Sequence, residues 1–135
     1  MTTGSNLYKR IGFKKFIPGI AWFFLSLIAI SIPGYDLPKV GSWFEQISFD
    51  KLIHTGLFGM LSVLFMYPVA KSALLRNDKI NWYIKVALAT IIWGFTTEVI
   101  QKYLIPGRSF DMVDCLADAL GGVGAFIIFR LKFSK

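Results

Sequence analysis

The residues with the most chemical capacity in this chain fall into three short groups. These are Asp50, Lys51 and His54; Glu98 and Gln101; and Arg108, Asp111, Asp114 and Asp118. Carboxylates beside one imidazole can hold a divalent cation or move a proton, and a planar guanidinium suits a phosphate or a carboxylate. His54, Glu98, Asp114 and Asp118 are the candidate metal ligands. With a single His and hard oxygen donors, such a site favours Mg, Mn or Ca over structural zinc. No HExxH, GxSxG or Walker pattern accompanies them, so no catalytic residue is assigned and no cofactor beyond an optional divalent cation is expected. Counting Lys102 with Lys51 and Arg108 against Asp50, Glu98, Asp111, Asp114 and Asp118, the cluster is acidic in a chain whose net charge is +7.

The elements that must carry these groups are written in the composition. Of 135 residues, 55% are hydrophobic and 17% charged, against roughly a quarter charged in soluble domains. Mean hydropathy is +0.57. Apolar runs at about 16–33, 52–70, 80–100 and 112–129 each approach the roughly 20 residues that cross hydrocarbon. The expected fold is therefore all-α, a polytopic membrane protein built as a four-helix transmembrane bundle in a single domain over 1–135. The first run is longer than the h-region of a cleaved signal peptide, although Ala29-Ile30-Ser31 is a passable cleavage site, and retention is expected. Pro33, Gly34, Pro38 and Gly41 mark the loop after it. Cys115 has no other cysteine to pair with.

Eleven of the 15 Lys and Arg residues fall at the N-terminus, at the C-terminus, or between the second and third runs with Lys85. Retention of positive charge on the cytoplasmic side then places both termini in the cytoplasm. That topology accounts for the basic charge without nucleic acid. It also sends all three polar groups to the extracytoplasmic face. At about 100° per residue, Asp111, Asp114, Asp118, Gly121, Gly122 and Ala125 share one arc of the fourth helix. On the third helix Thr90, Gly94, Thr97, Glu98 and Gln101 share another, with Lys85 opposite. Lys51, His54, Thr55, Phe58 and Ser62 form a stripe on the second. Gly94, Gly121, Gly122 and Ala125 are the expected close-packing positions. Asp118 lies roughly 10 Å deeper than Asp111, where a carboxylate must be protonated, paired or beside water.

The chain resembles the VanZ-like family of small bacterial membrane proteins. The resemblance is carried by Asp50-Lys51-x-x-His54, Glu98-x-x-Gln101, Pro106-Gly107-Arg108-Ser109-Phe110-Asp111-x-x-Asp114 and Gly121-Gly122, over about residues 50–125. The family commonly has Asn where this chain has Asp118, which adds an acid to the site. The family is associated by its name with resistance to glycopeptides, particularly teicoplanin. The resemblance thus implies a multi-pass protein of the bacterial cytoplasmic (inner) membrane with an envelope role.

The favoured reading is a non-enzymatic module whose partners are membrane lipids. It binds a lipid headgroup, a lipid-linked cell-wall precursor or an amphiphilic glycopeptide at the outer leaflet, with oligomeric state open. The alternatives are a metal-assisted intramembrane hydrolase or transferase on a lipid-linked substrate, a proton-coupled transporter, and a polar network that only holds helices together. Arg108 is expected to pair with at least one of Glu98, Asp111 and Asp114.

Overall fold

A computed structural model describes residues 11–37, 39 and 41–134. Lys9, Arg10, Pro38 and Lys135 lie outside the described residues. Four long helices are present, and no strand occurs among the described residues.

Helix α1 (Ile17–Ile30) follows a 3₁₀ turn over Phe13–Phe16. Pro18 sits in its first turn, where a backbone N–H would have no helical acceptor in any case. The helix stops at Ile30 rather than running to Pro33, because the residue before a proline is pushed out of the helical region.

Helix α2 (Trp43–Ala70) begins well before the apolar run near Leu52. Its start is a capping box: the Ser42 hydroxyl accepts from the Glu45 amide at 3.4 Å, and Glu45 Oε2 accepts from the Ser42 amide at 2.6 Å. A polar cap of this kind leaves no mark in hydropathy. Helix α3 (Arg76–Leu104) exceeds the apolar run at both ends. At about 1.5 Å per residue it is about 43 Å long, more than the roughly 30 Å of hydrocarbon, so its polar ends reach the interfaces. Helix α4 (Met112–Lys132) starts at Asp111, whose side chain caps it by accepting from the Val113 amide at 2.8 Å.

Four helical segments are long and apolar enough to cross a membrane, the first of them being α1 together with its preceding 3₁₀ turn, Phe13–Ile30. Their burial pattern is that of a protein solvated by lipid. Phe24, Ile28, Leu88, Ile92, Leu116 and Leu120 face outward, while Ser62, Thr90, Thr97, Glu98 and Asp118 are buried. Lys85 is exposed and lies 4.6 Å from the Trp82 ring centre, away from the buried polar face.

Helix α4 packs against both α2 and α3, and α1 leans on α2. Glycine sets the closest approach. A Cβ on Gly121 would lie 2.6 Å from both the Gly59 nitrogen and the Thr55 carbonyl oxygen, so α2 and α4 meet backbone to backbone. Gly122 faces Thr90 across the α3 seam. Toward the α2–α3 turn the interior is apolar, with Met66, Val69, Tyr83, Ala87, Ala125 and Phe129 in one cluster. A Ser62–Thr90 hydroxyl pair at 2.8 Å divides this cluster from a polar end.

Candidate functional site

The polar end is built where α2 starts, α3 finishes and α4 starts. Lys51 and His54 stand one turn apart on α2 and Glu98 and Gln101 one turn apart on α3, as helical spacing requires for side chains on one face. Asp114 and Asp118 are one turn apart on α4. His54, Glu98, Gln101, Asp114 and Asp118 are all buried, while Asp50, Lys51, Arg108 and Asp111 are partly exposed.

Lys51 is the organising cation. Its ammonium donates to Asp111 Oδ2 at 2.6 Å and to Asp114 Oδ1, and Asp50 Oδ2 lies 3.8 Å away. Asp111 in turn donates its backbone N–H to Glu98 Oε2 at 3.0 Å. It therefore joins α2, α3 and the cap of α4. The Lys51 ammonium, helped by the Val113 N–H, holds the Asp111 carboxyl below the usual carboxylate range against the opposing effect of burial.

Deeper in the bundle, His54 Nδ1 lies 2.9 Å from Asp118 Oδ1 and 3.9 Å from Glu98 Oε1. Its Nε2 lies 3.9 Å from Asp114 Oδ2. The ring stacks parallel to Phe58, which fills the space one turn below it. Gly94 makes room for Asp118, since a Cβ there would come within 2.8 Å of Asp118 Oδ2. Two sets of potential ligand atoms, from Asp50, His54 and Asp114 and from His54, Glu98 and Asp118, each lie within 4.8 Å of one another. The three carboxylates among the candidate metal ligands, Glu98, Asp114 and Asp118, thus surround the imidazole of the fourth, His54.

Arg108 does not do what its spacing predicts. Among the described residues it forms no ion pair with Glu98, Asp111 or Asp114; Lys51 takes that part. The backbone explains the difference. Gly107 adopts a φ of 72°, open to glycine, and the Arg108 N–H returns to the Ile105 carbonyl at 3.3 Å. This tight turn carries Arg108 to the wall of a polar cavity of about 200 Å³ that Asp50, Asp111 and Asp114 also line. Its Nε is buried without a hydrogen-bond partner. Lys102 is not part of the cluster: it is exposed and lies 5.2 Å from the Tyr103 ring centre.

Several contributors to the site cannot be read from spacing along the chain. The Gln101 amide donates to the Ile30 carbonyl at 3.0 Å, and the Gly34 N–H donates to the Pro106 carbonyl at 3.1 Å, so the end of α1 closes one side of the cavity. Gly34, Leu37 and Ser109 join its lining. Gly59, the partner of Gly121, is another. Only the contact across α2 and α4 gives it a role.

A family model described as VanZ/LLP1 matches residues 6–133. No curated protein and no solved structure matches the chain.

Proposed function

We propose that the chain, which belongs to the VanZ/LLP1 family and has four apolar membrane-spanning helices, binds the phosphate of a lipid headgroup at its polar end. The observation that carries this reading is Arg108, a cation at a polar cavity with no carboxylate partner among the described residues while the neighbouring acids are held by Lys51. A guanidinium in that position offers paired donors to phosphate oxygens. The distribution of Lys and Arg supports a topology with this end extracytoplasmic and both termini cytoplasmic, in the bacterial cytoplasmic membrane that the family resemblance implies.

A volume of about 200 Å³ is below the roughly 300 Å³ at which enclosed small-molecule sites begin. It suits one phosphate-bearing group, including the diphosphate of a lipid-linked cell-wall precursor, and not the body of a glycopeptide. A role in teicoplanin resistance would then run through the precursor or the lipid around it. The buried polar residues give way to the apolar cluster beyond Ser62 and Thr90, which favours binding over passage through the bundle.

The test uses the purified chain in a neutral detergent, titrated with short-chain phosphatidic acid, short-chain phosphatidylcholine, inorganic phosphate and teicoplanin. Phosphatidic acid is expected to bind and Arg108→Ala to weaken it about tenfold, or about 1.4 kcal/mol, with Arg108→Lys between the two. Competition by inorganic phosphate would separate a phosphate site from one needing acyl chains. Equal binding by wild type and Arg108→Ala would remove the reading.

A further inference from the structure

Directly beneath the Arg108 cavity, three helices each contribute one buried ligand-type side chain to a single point. His54 comes from α2, Glu98 from α3 and Asp118 from α4. Glu98 and Asp118 are fully buried and His54 nearly so. Clustered acids alone would say little. Here, however, Glu98 Oε1 and Asp118 Oδ2 are buried without any hydrogen-bond partner. Oxygens in that condition are costly to keep unless something satisfies them.

We infer that His54, Glu98 and Asp118 form a binding site for a divalent first-row transition ion of the Mn²⁺ or Zn²⁺ kind, which fastens α2, α3 and α4 together. The 2.9 Å hydrogen-bond contact between His54 Nδ1 and Asp118 Oδ1 already brings the two atoms close to the roughly 3 to 3.4 Å that separates two ligands of one ion with bonds of about 2.1 Å in octahedral or tetrahedral geometry. Glu98 Oε1, 3.9 Å from the same nitrogen, needs to move inward by only about 1 Å to complete the set. Two carboxylates and a neutral imidazole carry two negative charges, which a divalent cation cancels in a region where water does not. Asp114 Oδ2 lies 3.9 Å from His54 Nε2, beyond hydrogen-bond reach but on the side of the ring from which an outer carboxylate commonly orients a metal-bound imidazole.

The alternative grouping of Asp50, His54 and Asp114 is weaker. Its acids are already engaged by Lys51, and neither has an unpartnered buried oxygen. The donor set also selects the ion. The buried set narrows the Mg, Mn or Ca expected from the sequence: one imidazole with two carboxylates suits Mn, Fe, Co or Zn, whereas Ca²⁺ requires 6–8 oxygens and three buried side chains do not supply them.

The experiment titrates the purified full chain, stripped with chelator, with Mn²⁺, Zn²⁺ and Ca²⁺, reading bound metal and melting temperature. About one equivalent of Mn²⁺ or Zn²⁺ is expected to bind and raise the melting temperature, with no saturable response to Ca²⁺. Glu98→Gln and Asp118→Asn are each expected to weaken binding at least tenfold, while Asp111→Asn changes it less than about threefold. In the wild type, pulsed electron paramagnetic resonance of bound Mn²⁺ should show coupling to one histidine nitrogen. That reading needs no variant to fold. Absence of saturable Mn²⁺ and Zn²⁺ binding, or of nitrogen coupling, overturns the assignment. So does affinity lost in Asp50→Asn but retained in Asp118→Asn. The site stands apart from the headgroup reading: Arg108→Ala should leave metal binding intact, so either proposal can fail alone.

Discussion

Lys51 and Asp111 carry most of the contacts that hold the polar end in shape. Lys51 neutralises two carboxylates at the start of α4, so Lys51→Ala leaves Asp111 and Asp114 facing each other without their cation. Because the ammonium is partly exposed, the loss is expected below the 3–5 kcal/mol of a fully buried pair, at about 2 kcal/mol. Thermal unfolding in detergent would measure it, and an unchanged melting temperature would show that solvent already compensates the acids. Asp111 gives a pH signature. Its carboxyl is held down chiefly by Lys51, so the folded form binds the proton less readily than the unfolded chain. The stabilisation is therefore complete above the unfolded value of about 3.9 and is lost as pH falls through the lower folded value. Asp111→Asn keeps a competent helix cap. The stability gap between wild type and this variant, about 1 kcal/mol or less for so exposed a carboxylate, should be present at pH 6 and close as pH drops below about 4.

At the scale of the helices, glycine position matters more than glycine number. Gly121 and Gly124 lie one turn apart on α4, yet a Cβ on Gly121 would collide with the α2 backbone, whereas one on Gly124 meets nothing within 4 Å. Gly121→Ala is expected to force α2 and α4 apart and lose about 1–3 kcal/mol by overpacking. Gly124→Ala should gain about 0.5–1 kcal/mol from helix propensity. Parallel melting curves decide the matter, and a Gly121→Ala protein as stable as wild type would mean that the seam is looser than the backbone contact implies. Separation of α2 from α4 would also pull His54 from Asp118, so Gly121→Ala should disturb the polar end without touching it.

At the scale of the whole molecule, orientation decides which leaflet the polar end can reach. Single cysteines placed at Lys39 and at Arg76 in a Cys115→Ser background, exposed to an impermeant thiol reagent on intact cells, should label at position 39 and not at 76. Labelling at 76 alone would turn the polar end toward the cytoplasm and exclude any outer-leaflet ligand. An inverted chain would have to export its basic loops against the bias that governs insertion.

Hydropathy and helical phase determine a good deal of this protein from the sequence alone. Four apolar runs require four helices, because a chain in hydrocarbon must satisfy its own backbone hydrogen bonds. The arc that gathers Asp114, Asp118, Gly121, Gly122 and Ala125 is the buried face of α4, since a fixed 100° step leaves no freedom once the helix exists. Helix ends are less legible. The capping box at Ser42 and the polar extensions of α3 are invisible to a reading based on apolar runs. Pairing across helices lies beyond any periodicity. Whether Lys51 or Arg108 meets Asp111 and Asp114 depends on the turn at Gly107 and on how closely Gly59 and Gly121 allow α2 and α4 to approach. Spacing along one helix says which side chains share a face, but only packing between helices decides which faces meet and at what depth.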